Sequence, residues 1–472
     1  MSKEDFNKVD ALEEVTYAYV WDVVFYKSDD SSDENKIRPV RIKSISKYCG
    51  YKKSTSPIIT AKMTFSIFDI VTLSEMQKSC VCDCTCTALK YTKSKTGAGL
   101  ENTDREIIFS NNFVPIFDKG TFKNYYNKGE LAEKKMMLEK NSGDSSLNTY
   151  NIDVNMILVN TIAQNMFKTM FCQVIDSGNT IGTVLQWIVS ELNINKAIID
   201  DPDNGTELGD IIIPPMNTVQ TLKFLQAVYG IYYNDIEIFY DNDEVLYILN
   251  KFATDHDCEA KESNITHLYI KNGDNELSVG KMNRKENENG EGVYVGTIPM
   301  EYDSNEILDS ETMGDAFVFS SFKQGLNAVT FYGDKPISNT ASPVGMALLR
   351  NSGSHESSGN KALTDYDELN NSFNMFSYMN SLEALAQRYT VVLNDCRITD
   401  FKPNKLVELH FEDVDKNNEH GGIYFLNSVT YEFKRSVEFE INPSEFDENN
   451  APLTTTLCGC VIEISRKNPD TK

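Results

Sequence analysis

The densest group of reactive side chains in the sequence is a run of four cysteines at every second position, Cys80, Cys82, Cys84 and Cys86. On an extended strand, this spacing places all four sulfur atoms on one face, about 6.5–7 Å from one to the next. Zinc sites normally take their cysteines from Cys-x2-Cys turns, which fold the backbone around the ion. The alternation therefore favours cysteine as a small apolar residue on a packed strand face.

A second pair, Cys458 and Cys460, keeps a metal site open as an alternative, because two of its sulfurs and two of the first four could complete a tetrahedral set. Redox use of the thiols is a further alternative. Ten cysteines in 472 residues are too few for a disulfide-held chain, and a reducing compartment leaves them as thiols. We expect no metal ligand among them.

The histidines and the familiar catalytic signatures add no chemistry. The five histidines are scattered along the chain: His256, His267, His355, His410 and His420. His256 lies between two aspartates and beside Cys258, but no second ligand follows at metal spacing, so a solvated loop is favoured. The sequence has no G-x-S-x-G, H-E-x-x-H, P-loop or dinucleotide fingerprint. We expect no catalytic residue, no cofactor, no metal and no enzymatic activity.

The charge of the chain excludes a DNA-reading role. Lys and Arg number 45 against 70 Asp and Glu, which gives a net charge of −25. Such a surface repels nucleic acid, although it suits a wall past which DNA slides without binding. The content of 40% hydrophobic and 11% aromatic residues is enough for packed cores. The N-terminal ten residues lack an apolar core and no apolar run approaches about 18 residues, so we expect no secretory signal and no stable membrane insertion.

The stretch 214–250 carries the clearest local structure. After two prolines, Asn217 or Thr218 can cap a helix whose apolar residues recur every three or four positions until Gly230. The period then changes to two over 236–240 and 245–249, with a turn at 241–243. A helix followed by a β-hairpin that covers it is predicted. A tyrosine stripe accompanies these elements, and suits either an interface or a core: Tyr229, Tyr232, Tyr233, Tyr240 and Tyr247.

The remaining pattern divides the chain into five regions. Short strands predict a β-barrel or a β-sandwich over 1–120, of which we expect the barrel, and 121–147 is a polar connection. An α/β module spans 148–250, with a strand at 151–159, a helix at 161–174 and a second helix, capped by Asn179 or Thr180, that ends at Leu192. A mixed β and loop region with one helix occupies 251–385. Strand patterns joined by Asp, Asn and Gly turns return over 386–472.

Two segments carry a resemblance to a known family. The helix end LQAVYG at 225–230, followed by FYD at 239–241 and LYIL at 246–249, resembles the central α/β domain of baseplate hub proteins of contractile-tailed bacteriophages. These are related to the hub domains of type VI secretion spikes. In the same order along the chain, PNKLVEL at 403–409, GIY at 422–424 and VTYEF at 429–433 are similar to the closing barrel of those hubs.

The resemblance implies an α+β, β-rich multidomain fold in which two tube-like barrels flank the α/β module, the second of them over 386–472. It implies a structural virion protein that forms a homotrimer with a pseudo-sixfold ring. Such a ring joins the sixfold tail tube to the threefold central spike. Implied partners are the tail tube and the central spike, together with tape measure and baseplate wedge proteins, with genomic DNA passing through the lumen. The expected location is the virion tail baseplate, after assembly in the host bacterial cytoplasm.

Three alternatives remain open at this stage. The chain could be the hub of a contractile bacteriocin or a type VI-like injection machine. It could instead be a metal-binding protein or cell-wall hydrolase of the tail tip that uses the cysteine strand or acidic clefts. A tail-tip receptor-binding protein is the third, and it predicts direct binding to host cells by the isolated chain.

Overall fold

The computed structural model describes the following residues: 3–28, 36–52, 54–76, 78–93, 100–118, 151–192, 194–232, 235–253, 265–271, 282–286, 292–297, 300–304, 317–320, 329–332, 387–435 and 454–466. The predicted connection at 121–147 lies outside the described residues, as do Tyr233, His256 and His355. Within the described part of the chain, no helix is long and apolar enough to cross a membrane.

Strands dominate the fold. The first six are β1 (Glu13–Lys27), β2 (Arg41–Cys49), β3 (Ile58–Ser66), β4 (Cys80–Lys93), β5 (Leu100–Phe117) and β6 (Asn151–Asn160). The next five are β7 (Met170–Ile175), β8 (Lys196–Ile199), β9 (Ile211–Asn217), β10 (Ile236–Tyr240) and β11 (Val245–Asn250). Then follow β12 (Ile265–Ile270), β13 (Met282–Glu286), β14 (Gly292–Gly296), β15 (Met300–Ser304), β16 (Phe317–Ser320) and β17 (Val329–Tyr332). The last four are β18 (Gln387–Leu393), β19 (Leu406–Phe411), β20 (Gly422–Arg435) and β21 (Thr454–Arg466).

The α-helices of the described residues are short. They are α1 (Lys3–Asp10), α2 (Ile67–Glu75), α3 (Thr161–Lys168), α4 (Ile181–Glu191), α5 (Thr218–Tyr229) and α6 (Val414–His420). The sequence predictions for α5 are confirmed: Asn217 caps it in a capping box with Gln220, and Gly230 ends it with a φ of +69°. Thr180 caps α4, as expected, by accepting a hydrogen bond from the backbone N–H of Thr183.

Fourteen of the described strands form one large sheet that closes on itself twice. The first circuit runs β1–β4–β5–β6–β3–β2–β20–β21 and returns to β1. The second runs β1–β13–β14–β12–β19–β20–β21. The two circuits therefore share β1, β20 and β21. Closure of this kind removes the unpaired edges that an open sheet would expose.

Long strands make the sharing possible. One edge of β20 pairs with β19 over Gly422–Phe425 and with β2 over Val429–Phe433, while its other edge pairs with β21. A strand of 14 residues has room for both neighbours on one edge, whereas a strand of average length serves one. The predicted β-rich α+β chain with two barrels and an α/β module is confirmed, and the barrels are fused through common strands.

A smaller core belongs to the α/β module. It packs α3, α4 and α5 against the inner faces of β9, β10 and β11. Here β10 and β11 form the predicted hairpin, and β8 adds to β11 in parallel. The strand predicted at 151–159 is present as β6, but it pairs with β3 and β5 of the first circuit.

The helix predicted at 161–174 is wrong in its second half. It ends at Lys168, and Met170–Ile175 forms β7, which pairs antiparallel with β9. The four-residue spacing of apolar side chains predicted a continuous helix, because pairing with a segment some 40 residues later is invisible in a local pattern. Tertiary pairing overrides the weak helix propensity of this short segment.

The β10–β11 hairpin is the joint between the two cores. Ile238 and Ile248 lie opposite each other and face the module, whereas Phe239 and Tyr247 face the barrel core. The sequence predicts the first contact, in which the hairpin covers α5. The second face is also buried, since Phe239 is 0% exposed. The hairpin is therefore covered on both sides.

Candidate functional site

The four alternating cysteines of β4 lie inside the first circuit. Cys82, Cys84 and Cys86 are fully buried, and their positions on β1 are matched by Phe25, Val23 and Trp21. All four sulfurs belong to the main hydrophobic core. Burial raises the pKa of the Cys80 thiol to about 12, and it raises the pKa values of the other three well above the ordinary range. Thiols held in the protonated form are poor nucleophiles and poor metal ligands.

The second cysteine pair meets a cysteine that the sequence analysis does not single out. Cys458 and Cys460 of β21 are buried, and the Sγ atom of Cys458 lies 3.5 Å from that of Cys396. Desolvation raises the pKa values of the Cys458 and Cys460 thiols. The cysteines of β4 and β21 thus contribute to one apolar core.

A buried ionic cluster closes the second circuit. Arg284 of β13 is 1% exposed, and its Nε donates to Asp400 Oδ2 at 2.6 Å. Its Nη1 contacts Glu286, whose Oε1 also accepts from the hydroxyl of Tyr17 at 2.7 Å. The hydroxyl of Tyr294 donates to the same Asp400 oxygen at 2.8 Å. Although burial acts in the opposite direction, the guanidinium lowers the pKa of both carboxyls.

A second buried ionic cluster fastens the hairpin joint to the barrel. Asp241 lies in the turn between β10 and β11, and its two oxygens accept from Lys47 at 3.0 Å and from Lys402 at 2.8 Å. Lys402 also donates to Asp243 at 2.8 Å, and Glu237 pairs with Lys52. Against the effect of burial, the ammonium groups of Lys402 and Lys47 hold the pKa of the Asp241 carboxyl well below its ordinary value.

Two of the scattered histidines meet on the outer face of the second circuit. β12 and β19 are parallel, and their register places His267 opposite Glu408 and Tyr269 opposite His410. His267 Nδ1 lies 3.1 Å from His410 Nε2 and 3.0 Å from Glu408 Oε2, and the third distance, from His410 Nε2 to Glu408 Oε2, is 3.4 Å. Hydrogen bonds with both histidines hold the pKa of the Glu408 carboxyl well below its ordinary value.

Sequence reasoning missed this cluster. His267 and His410 are 143 residues apart, and their contact depends on the parallel pairing of β12 with β19. One local signal was present: Glu408 and His410 are two residues apart on a strand, and so share a face. The segment around His256, which the sequence does single out, lies outside the described residues.

The sequence of the chain matches a known protein family. Residues 42–450 match the model of the family described as Bacteriophage PBS1 gene 109 protein. The chain belongs to this bacteriophage family. The membership confirms the relation to phage proteins that the segments at 225–249 and 403–433 predict. No curated protein sequence matches the chain.

Solved structures similar to this member of the PBS1 gene 109 family share little sequence with it. The tail protein from Neisseria meningitidis MC58 has 8% identity and a TM-score of 0.44, with 94% of this chain and 96% of that chain covered. The 43 kDa tail protein of prophage MuSo2 from Shewanella oneidensis has 10% identity and a TM-score of 0.42, with 94% and 98% covered. The c3393 protein of E. coli, described as a component of the type VI secretion system, has 5% identity and a TM-score of 0.36, with 91% and 74% covered.

The outer wall of the first circuit in this family member carries an aliphatic surface. Ile116 of β5 lies directly opposite Ile157 of β6, and the two side chains are 51% and 38% exposed. Val114 lies opposite Val159 two residues along, where both side chains are half-buried, and Ile58 of the neighbouring β3 is 40% exposed. We call these five residues the barrel-wall patch. Contiguous exposed aliphatic residues on a strand surface are typical of a contact between proteins.

Proposed function

We propose that the protein is a structural hub subunit of a phage tail baseplate, and that it acts as a homotrimer. The observation that supports this most is the pair of closed β circuits within one chain, fused through β1, β20 and β21. Three copies of a chain with two barrels present six barrel walls around a threefold axis. A ring of that kind adapts a sixfold tube to a threefold spike.

The buried chemistry supports a structural role. The cysteines of β4 and β21 are protonated core residues, and the charged residues around Arg284 and Asp241 are paired with one another across elements. Paired, desolvated charges of this kind fix the arrangement of the elements that carry them. The proposed hub therefore works through buried area and strand pairing, and bond chemistry has no part in the proposal.

The net charge of the chain and its family membership support the location and the partners of the proposed hub. A net charge of −25 suits a conduit in which DNA moves without specific binding. In the proposed assembly, the partners are the central spike, the tail tube, and tape measure and baseplate wedge proteins of a contractile tail. The chain is assembled in the host bacterial cytoplasm and ends in the virion baseplate.

The proposal is tested by native mass spectrometry of the purified chain, followed by averaged electron micrographs. We expect a species of three times the chain mass of 53.4 kDa, and rings with a central opening and a near-sixfold outline. A closed ring with a number of subunits other than three contradicts the proposal. A chain that stays monomeric over the whole accessible concentration range, with direct binding to host cells, favours the receptor-binding alternative.

A further inference from the structure

The cluster of His267, Glu408 and His410 has a geometry that hydrogen bonding alone does not satisfy. Its three facing atoms, two ring nitrogens and one carboxylate oxygen, lie 3.0, 3.1 and 3.4 Å apart, so each is in contact with both others. The carboxylate oxygen of Glu408, ionised at neutral pH, carries no proton. Each facing nitrogen either carries a proton or presents a lone pair.

Every distribution of protons leaves one contact unfavourable. If both facing nitrogens are protonated, two N–H groups are opposed across 3.1 Å between His267 and His410. If one is protonated, the lone pair of the other nitrogen faces the carboxylate of Glu408. If neither is protonated, three lone pairs converge. A cation at the centre of the triangle makes all three contacts favourable at once.

We propose that His267, Glu408 and His410 bind a divalent transition-metal ion of the Zn²⁺ type. A tetrahedral zinc ion with bonds of about 2.0–2.2 Å to nitrogen and oxygen requires its ligand atoms to lie about 3.3–3.5 Å apart. The observed separations of 3.0–3.4 Å come close to that spacing before any adjustment. Two imidazoles and one carboxylate form a ligand set that suits zinc and its first-row neighbours.

The surroundings favour binding and leave the ion one open position. The side chains of His267 and Glu408 are 32% and 27% exposed, so water can reach the site as a fourth ligand. On one side, the ring of Tyr269 stacks on His410 with centroids 4.7 Å apart and continues into a small apolar cluster with Phe6. A second apolar cluster around Leu406 lies on the other side. These neighbours restrict the two ring orientations, which reduces the entropy lost when the ion binds.

The ion would join two segments that are distant in the sequence. It would link β12 to β19, and these strands belong to the second circuit only. An ion that binds the folded chain and not the unfolded chain raises the stability of the fold. The site is independent of the proposed hub function, because it concerns the fold of one subunit.

The test uses the full-length chain after treatment with a chelator and dialysis. Calorimetric titration with ZnCl₂ is expected to give one ion per chain and a rise in the melting temperature. His267→Ala and the isosteric Glu408→Gln are each expected to weaken Zn²⁺ binding at least tenfold and to remove that rise. His420→Gln, a histidine bonded to Tyr389 outside the cluster, is the matched control and should bind as the wild type does.

Further measurements keep the proposal open to failure. CoCl₂ in place of zinc should give the visible absorption of a four-coordinate site, and Glu408→Gln should change that spectrum even where it still folds. Circular dichroism identifies a variant that fails to fold. The proposal is overturned if the wild type takes up no zinc, or if both cluster variants bind as tightly as the wild type. Loss of binding in His256→Gln, with binding intact in the cluster variants, overturns it as well.

Discussion

Asp241 contacts side chains from two distant segments of the chain, and no local sequence pattern around it indicates these contacts. Its carboxylate lies in the hairpin turn, yet it forms ion pairs with one lysine from β2 and one from the segment before β19. All three side chains are largely buried. A buried charge that loses its partner is strongly destabilising, because the remaining charge stays desolvated.

We therefore expect Asp241→Asn to lower the free energy of unfolding by about 3–5 kcal/mol at neutral pH. Asp243→Asn is the control, since Asp243 is 28% exposed and, besides Lys402, accepts only from the backbone N–H of Val245 among the described residues, so its replacement should cost much less. The midpoints of urea unfolding measure both. Because the folded-state pKa of Asp241 is lowered, its contribution is present above the ordinary aspartate pKa and is lost as the pH falls through the folded value. The wild-type advantage should therefore be constant from about pH 5 upward and shrink below about pH 4. Equal effects of the two variants would contradict this account.

Asp395 should show the opposite pH dependence. Desolvation, followed by the neighbouring Cys396, raises the pKa of its carboxyl to about 7. In the described part of the chain, no donor reaches its Oδ1. A raised carboxyl pKa means that stability is complete below the unfolded pKa and is lost as the pH rises through about 7.

Asp395→Asn mimics the protonated acid, so it should stabilise the chain at pH 8 and have little effect near pH 4. The gain is of the order of a few kcal/mol, since each pKa unit corresponds to about 1.4 kcal/mol. Thermal unfolding across pH 4–8 checks this, with the exposed Asp104→Asn as the control. A loss of stability at pH 8 would show that the ionised carboxylate is needed there.

At the scale of elements, the β10–β11 hairpin holds the two cores together. Phe239 packs edge-to-face on Tyr51 with ring centroids 4.8 Å apart, and it belongs to the barrel core. Truncation to alanine leaves a cavity at this joint. We expect Phe239→Ala to cost about 3–5 kcal/mol, whereas Val228→Ala, on the exposed side of α5, should cost about 0.5 kcal/mol or less.

Urea midpoints measure that difference, and hydrogen exchange locates it. The amides of β10 and β11 should exchange faster in Phe239→Ala than in the wild type, because the hairpin loses support on one face. Exchange that increases only in α3 and α4 would show that the hairpin depends on the module core alone.

The elements that the sequence predicts are those formed within one segment. The cap at Asn217, the stop at Gly230 and the alternation of Ile236, Ile238 and Tyr240 are all local signals. Two other features are not local. β1 pairs with β21, which follows hundreds of residues later in the chain. His267 contacts His410, which is 143 residues away. The prediction that the hairpin covers α5 accounts for one of its two buried faces, and it is incomplete for the same reason. Alternation identifies a second face, but it does not reveal that another domain covers it.

At the scale of the whole molecule, the proposed trimer needs a contact surface. We expect the barrel-wall patch to form it, because β5 and β6 present its aliphatic side chains on the outside of a closed circuit. The double variant Ile116→Asp and Ile157→Asp places charges at the centre of that patch. Native mass spectrometry should show a shift from trimer to monomer, while circular dichroism remains that of the folded chain.

A matched control exists elsewhere on the surface. Val174 and Ile212 are also an exposed cross-strand pair, at 59% and 60%, but they lie on the β7–β9 ribbon of the module. Their double replacement by Asp should leave the trimer intact. If the barrel-wall variant stays trimeric and the ribbon variant dissociates, the interface lies on the module. That outcome contradicts the role of the barrel-wall patch but not the proposed trimeric ring.

The strands shared by the two circuits determine when the barrels can close during synthesis of the chain. β1 leaves the ribosome long before β21, yet the backbone oxygen of Tyr19 accepts a hydrogen bond from the hydroxyl of Thr456, 437 residues later. At about 5–20 residues per second, roughly 20–90 s pass before that partner exists. Neither barrel can close during this interval, because each needs β20 and β21. During this interval, the ribbon formed by β1 and β4 has an unpaired strand edge. We therefore expect chaperone protection of the nascent chain to matter more for this protein than for one whose barrels close one after the other.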